Sequence, residues 1–135
     1  MKGVLADINI QGHVDRLMAV MQAEPWKLFW DDLNLQYVHF SDVGLAHASP
    51  DSQVWDICQQ QELVLLTDNR NEDSSDSLEA TIRARGTASS FPVITIANVP
   101  HLRRSRDYAE RIIDKLLDFL SRMDTLRGTG RLYVP

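Results

Sequence analysis

Short apolar runs alternate along the chain with segments whose apolar residues recur at helical spacing. Four runs are apolar enough for strands that are covered on both faces: residues 3–8, 37–40, 63–67 and 92–97. Between them, the spacing of apolar side chains predicts helices over residues 13–23, 26–33, 50–61, 78–85 and 105–123. The tail, residues 128–135, is a candidate edge strand. This alternation predicts an α/β fold with a mostly parallel sheet of about four to five strands, joined by right-handed crossovers.

The composition is typical of one cytoplasmic domain. With 135 residues and 44% apolar content the chain can bury a single core, so we treat residues 1–135 as one domain. No apolar run approaches the ~20 residues that span a bilayer, and Asp7 interrupts the first apolar stretch too early for a secretory signal. The lone Cys58 excludes an internal disulfide, and its position on the apolar face of a helix predicts a core role.

The charge balance limits how the chain could bind nucleic acid. There are 14 basic and 19 acidic residues, a net charge of −5, whereas proteins that hold nucleic acid electrostatically are usually basic. The basic segment near the end contains Arg103, Arg104 and Arg106, with Arg111 following. A solvated helix start accounts for these arginines, and contact with a substrate backbone is the alternative. We expect any nucleic-acid contact to be local or assisted by a metal ion.

Acidic residues fall where the predicted strands end. Asp7 ends the first strand and Asp68 follows the third. In a parallel sheet these strand ends share one edge, which is where ligands bind in open α/β folds. Asp51 can approach the same edge, although its place at a helix start, after a capping Ser49 and a first-turn Pro50, is also explained by the helix dipole.

Clustered carboxylates repel one another unless a cation neutralises them. Oxygen ligands of this kind suit Mg²⁺ or Mn²⁺, and such an ion can activate a water molecule for attack on a phosphodiester. Thr67 and Asn69 flank Asp68, and Asn9 follows Asp7 by two positions, so these side chains can support the site. The sequence therefore predicts a divalent-metal site at one edge of the sheet.

The order and spacing of these motifs resemble those of the PIN-like domains. The segments that carry the resemblance are residues 5–10, residues 40–45, the Pro50–Asp51 helix start, and residues 64–67 with the acidic and amide turn after them. They look most like the short PIN-like branch often found beside toxin–antitoxin genes. The resemblance covers about residues 3–73, and the rest of the chain agrees only in the order of its elements.

The resemblance implies a three-layer, Rossmann-like α/β/α sandwich and a ribonuclease that depends on Mg²⁺ or Mn²⁺. Asp7 matches the family acid that ends the first strand, and Asp51 matches the acid at the start of the helix before the third strand. The family turn that follows usually reads Thr-x-Asp-x-Asp, where this chain has Thr67, Asn69 and Asn71. The resemblance also implies RNA as substrate and an antitoxin protein as inhibitor.

The leading hypothesis is therefore a metal-dependent endoribonuclease that hydrolyses RNA phosphodiesters. Its predicted catalytic residues are Asp7, Asp51 and Asp68, its predicted metal ligands are the same three with Asn69, and its supporting residues are Asn9, Thr67 and Asp73. The amides at positions 69 and 71 motivate an alternative, a catalytically inactive PIN-like module that binds or regulates a partner. A receiver-type signalling domain is a third hypothesis, but Ala6 stands where that fold usually has a second acid.

One short helix is unusually aromatic. Trp26, Phe29 and Trp30 lie within five consecutive positions, which is more aromatic surface than a small domain easily buries. We therefore expect these residues to form a contact between two copies of the chain, in a homodimer.

Overall fold

A five-stranded sheet is the centre of the molecule, and the computed structural model describes all residues from 1 to 135. The strands are β1 (Gly3–Ala6), β2 (Gln36–Val38), β3 (Leu63–Thr67), β4 (Val93–Ile96) and β5 (Arg131–Val134). Their order across the sheet is β2-β1-β3-β4-β5, and every neighbouring pair is parallel. The predicted α/β class and the predicted strand in the tail are both confirmed.

Six α-helices connect the strands. They are α1 (Gln11–Met21), α2 (Lys27–Leu33), α3 (Asp51–Gln61), α4 (Leu78–Arg85), α5 (Val99–Arg104) and α6 (Arg106–Ser121). Short 3₁₀ turns lie at Ile8–Ile10, Phe40–Val43 and Met123–Thr125. No helix of the protein combines the length and the apolar character that crossing a bilayer requires.

The sequence did not predict α5, and it placed Arg103 and Arg104 at the start of the long helix. They form the end of α5 instead. The side chain of Asn98 begins that helix by accepting the N–H of His101 at 3.1 Å. Ser105 then begins α6 by accepting the N–H of Tyr108 at 3.0 Å. Two capping side chains therefore divide one basic segment between two helices.

Apolar residues alternate between the two faces of each strand, and this makes three layers. Val4 and Leu66 point into a core shared with α1, α2 and α6, whereas Leu5 and Leu65 point into a second core shared with α3. Fully burying a side chain of this size contributes roughly 1.5–3 kcal/mol. Burial on both faces explains why β1 and β3 are continuously apolar, and it confirms the three-layer sandwich.

The strand order reverses between β1 and β3. The chain passes from β1 to β2 on one side, and then crosses to place β3, β4 and β5 on the other side. Pairing of Ala6 with Leu66 brings the ends of β1 and β3 level. In open α/β sheets the ligand crevice lies at this reversal, outside the carboxyl ends of the strands. The residues that follow β1 and β3 are therefore the candidates for a ligand site.

The aromatic helix α2 is only partly exposed. Trp30 is a core residue, 6% exposed, so its predicted role in a contact between copies is wrong. Trp26 packs partly buried against the same core, and Phe29 is 62% exposed beside Leu28, which is 73% exposed. The predicted homodimer stays a prediction, and only Leu28 and Phe29 offer it a large apolar surface.

Candidate functional site

Asp7 is the buried acid at the reversal point. Its N–H donates to the carbonyl of Leu66 at 2.9 Å and so extends the β1–β3 ladder by one residue. Asp7 is 7% exposed. Its Oδ1 accepts the N–H of Asn9 at 3.2 Å, and its Oδ2 accepts the hydroxyl of Thr67 at 2.5 Å. Both carboxylate oxygens are thus fixed in position by donors from the two neighbouring strand ends.

The surroundings of Asp7 are negative. Burial raises the pKa of this carboxyl above its ordinary value, and the hydrogen bonds from Thr67 and Asn9 only partly oppose that effect. The charges of Asp68 and Asp51 raise the pKa further, and no basic side chain is among the groups that lower it. A cation at this position would stabilise the ionised carboxylate, because no basic side chain is among the groups that act on its pKa.

A ladder of side-chain oxygens holds the turn after β3. The hydroxyl of Thr67 accepts the N–H of Asn69, Oδ1 of Asn69 accepts the N–H of Asn71, and Oδ1 of Asn71 accepts the N–H of Asp73, each at 2.9 Å. Short side chains that bond the backbone two residues onward are typical turn formers. The two amides that depart from the family pattern therefore have a structural role here.

Asn69 also orients Asp51, the first residue of α3. Because the N–H of Asn71 occupies its Oδ1, the amide directs Nδ2 towards Asp51 and donates to Oδ2 at 2.9 Å. The N–H of Leu78, the first residue of α4, donates to the same oxygen at 3.1 Å. Oδ1 of Asp51 has no protein donor. An aspartate at position 69 would repel Asp51 instead of holding it.

The start of α3 differs by one residue from the expected one. Pro50 is the residue that precedes the helix, and Ser49 accepts the N–H of Ala46 at 2.8 Å instead of capping α3. Asp51 itself lies in the first turn, as predicted, where the helix dipole favours a carboxylate.

An arginine from the last strand fastens the turn to the sheet. Arg131, whose side chain is 8% exposed, donates through Nε and Nη2 to Oε2 of Glu79 at 3.0 and 2.8 Å. Its Nη1 donates to the carbonyl of Asn69 at 2.8 Å and to the hydroxyl of Thr95 at 2.7 Å. One guanidinium therefore ties the turn after β3 to β4 and α4, a planar arrangement that arginine provides and lysine does not.

A small cleft opens beside the two aspartates. Its volume is about 40 Å³, and its polar lining comes from Asp7, Asn9, His47, Ser49 and Asp51. A water molecule occupies about 30 Å³ in the liquid, so the cleft holds an ion or a water molecule but not a nucleotide. We call these five residues, with Thr67, Asp68 and Asn69, the aspartate rim.

The structure brings most of the predicted site residues together. Asp7, Asp51, Thr67 and Asn69 form one hydrogen-bonded chain. Asp68 is exposed, makes no side-chain hydrogen bond and acts on Asp7 through its charge. The exposed side chain of Asp73 touches none of these groups, and the oxygen of Asn69 that was predicted to bind metal is occupied by Asn71. No three acidic, histidine or cysteine side chains converge into a metal cage.

Sequence reasoning missed Arg131, its pairing with Glu79, and His47. Arg131 and Glu79 are 52 positions apart, and no local pattern links them. An arginine inside a predicted strand was a signal, since a charged residue there needs a partner.

Cys58 is a core residue, as predicted. Burial first, and then the charge of Asp7, raise the pKa of its thiol to about 12, so the thiol is an unreactive one.

Comparison with known proteins adds no assignment to this geometry. No protein-family model matches the chain, and no curated protein or solved structure matches it. The likeness to PIN-like domains therefore stays a prediction that rests on the order and spacing of motifs over about residues 3–73.

Proposed function

We propose that the protein is a divalent-cation-dependent ribonuclease that hydrolyses RNA phosphodiesters at the aspartate rim. The observation that carries the proposal is the pair Asp7 and Asp51. Both line one small cleft at the strand reversal, and both are oriented by hydrogen bonds. No basic side chain is among the groups that lower the pKa of Asp7.

The donor set fits a Mg²⁺-type ion. Such an ion takes hard oxygen ligands, keeps several waters, and is commonly bound by one or two carboxylates together with substrate phosphate. The absence of a three-residue cage is consistent with that mode of binding. Asp7 and Asp51 would hold the ion, with Asp68 adding negative charge at the rim. When bound there, the ion supplies an activated water molecule and a positive charge beside the phosphate.

Hydrogen bonds within the chain hold both aspartates in position for this chemistry. Thr67 and Asn9 fix both oxygens of Asp7, while Asn69 and the N–H of Leu78 fix one oxygen of Asp51 and leave the other without a donor. Groups held in place before the reaction need no reorganisation during it. Because the cleft is smaller than a nucleotide, an RNA strand must lie across its mouth.

Cleavage of a labelled single-stranded RNA in the presence of Mn²⁺ or Mg²⁺ tests the proposal. We expect Asp7→Asn to lower the cleavage rate by about 100-fold or more, the order that the loss of one electrostatic group costs in other enzymes. Asn can keep the geometry, since its oxygen can accept from Asn9 while its amide donates to Thr67. The control is Asp124→Asn, whose side chain is 91% exposed. Equal cleavage by wild type and Asp7→Asn would contradict the proposal.

One observation favours a second function, a non-catalytic binding or regulatory module. The amide of Asn69 already donates to Asp51 at 2.9 Å, so this carboxylate has a neutral partner without any ion. Calorimetric titration with Mn²⁺ separates the two functions. Heat of binding that is lost in Asp7→Asn supports the ribonuclease, whereas no heat at millimolar Mn²⁺ supports the module.

A further inference from the structure

A basic groove lies in the helical layer opposite α3. It runs between α1 and the junction of α5 with α6, and its volume is about 260 Å³. Its cationic lining consists of Arg16, Arg103, Arg104 and Arg106, with His13 beside them. No aspartate or glutamate lines it. We call this feature the arginine groove.

Three of the four groove arginines, Arg16, Arg103 and Arg104, lack ion-pair partners. Of the 14 lysines and arginines, those that form no salt bridge are Arg16, Arg70, Arg103, Arg104 and Lys115. Three of these five line the arginine groove. In a protein with a net charge of −5, this is a local surface on which positive potential is not cancelled.

Helix stability does not explain every one of these charges. Arg103 and Arg104 end α5, where cations interact favourably with the helix dipole. Arg106 begins α6, where the dipole disfavours a cation, and its one carboxylate partner is the exposed Glu110 at 3.4 Å. Bound negative charge would stabilise this arrangement, because it would interact favourably with both the arginines and the start of α6.

The groove lies at the same edge of the sheet as the aspartate rim. α1 starts just beyond the carboxyl end of β1, and α5 starts just beyond the carboxyl end of β4. The groove residues of α1 and the α5–α6 junction are therefore close to the edge at which Asp7 lies, on the other helical layer. A flexible strand that crosses this edge can contact both features.

We propose that the arginine groove binds the phosphodiester backbone of single-stranded nucleic acid. The four arginines are exposed, so one small anion would gain little from them in water, whereas a polymer with a phosphate at each nucleotide engages several of them and releases counterions. The apolar part of the lining, which includes the half-buried Val20 and Leu102, offers contact to sugars and bases. This surface is separate from the aspartate rim and binds without a metal ion.

Fluorescence anisotropy with a labelled single-stranded RNA, in buffer containing EDTA, tests the inference on the full chain. We expect R103A/R104A to bind at least tenfold more weakly than wild type. The slope of the logarithm of the association constant against the logarithm of the salt concentration should fall in magnitude by about 1.4. Two phosphate contacts are lost, and each contact on a single strand contributes about 0.7 to the slope. The matched control is K2A/K115A, which removes two positive charges from exposed lysines outside the groove.

Several outcomes would overturn the inference. They are equal binding by wild type and R103A/R104A, an equal loss in K2A/K115A, displacement of RNA by inorganic phosphate at matched phosphate concentration, and equally tight binding of polyglutamate. Asp7→Asn separates this inference from the proposed function. If Asp7→Asn binds RNA without metal as tightly as wild type, the result supports nucleic-acid binding by the groove. If Asp7→Asn cleaves RNA at the wild-type rate, the result contradicts the proposed ribonuclease function but not binding by the groove.

Discussion

The aspartate rim and the arginine groove occupy one edge of the sheet, yet their charged side chains are held in opposite ways. At the rim, Asp7 is 7% exposed with two fixed donors. Arg131, which fastens the turn after β3, has a side chain that is 8% exposed and partners on three elements. In the groove, Arg103 and Arg104 are exposed and unpaired. The same edge therefore combines a buried, hydrogen-bonded acidic feature with an exposed basic one.

The difference follows from desolvation. A charge that loses its water on folding must find fixed partners, so buried groups such as Asp7 and Arg131 are tied to the stability of the fold. An exposed arginine keeps its water and its rotamer freedom until a ligand arrives. We therefore expect changes at the rim to alter folding and chemistry together, and changes in the groove to alter binding alone.

The largest effect on stability is expected at Arg131. Arg131→Ala removes the partner of Glu79 and the donor to the carbonyl of Asn69, and should lower the free energy of unfolding by about 2–4 kcal/mol. This value is below that of a fully buried pair, because the side chain of Glu79 is 24% exposed. Urea unfolding followed by circular dichroism measures the loss.

Arg85→Ala is the matched control for that change. Arg85 pairs with Asp56 on the surface, where the two side chains are 50% and 37% exposed, and an exposed pair contributes about 1 kcal/mol or less. If both arginine variants unfold at the same urea concentration, the contrast between buried and exposed charge does not hold for this protein.

The next effect concerns pH. Since the folded pKa of Asp7 is raised above its ordinary 3.8, the folded state favours the protonated carboxyl. Its contribution to stability is fully present below the unfolded pKa and is lost as the pH rises through the raised folded value. Asp7→Asn, which cannot ionise, should therefore gain stability relative to wild type as the pH rises from acid to neutral.

Urea unfolding of both proteins across this pH range measures the relative gain, and Asp124→Asn should show no such trend. A difference between wild type and Asp7→Asn that stays constant with pH would contradict the raised pKa of Asp7, whose first cause is burial and whose second is the charge of Asp68 and Asp51.

The smallest effect on stability is expected in the groove. R103A/R104A should change the free energy of unfolding by no more than about 0.5 kcal/mol, because neither side chain has a fixed partner. Thermal unfolding checks this value in the same preparation that is used for RNA binding. A loss as large as that of Arg131→Ala would mean that the groove, like the rim, supports the fold.

The fold was largely predictable from the apolar pattern. Short continuous runs such as Leu63–Thr67 favour strands buried on both faces, and their alternation with helices leaves few topologies. The place of Asp7 at the end of the first strand followed from the same pattern. The division of the basic segment into α5 and α6 did not, because it depends on two short capping side chains, Asn98 and Ser105.

The structural role of the amides Asn69 and Asn71 could not be predicted from the neighbouring residues in the sequence. At the sequence level, Asn69 and Asn71 were a departure from a family pattern of acids. In the folded chain, Asn69 accepts one N–H and donates to Asp51, a combination that an aspartate lacks. The amide is explained only by the carboxylate 18 positions away.

The sequence by itself determined the continuously apolar strands that the helical layers cover, because this pattern is read along one element. It also determined that acids would follow β1 and β3. Only the tertiary structure decided which polar groups meet, Arg131 with Glu79 and Asn69 with Asp51. It also decided that Arg16 of α1 lines the same groove as Arg103 and Arg104 of α5. The physical reason is that these two kinds of feature depend on residues at different separations along the chain. Hydrophobic periodicity is read within one element, whereas a hydrogen bond or an ion pair depends on atoms that chain folding brings within about 3 Å of one another.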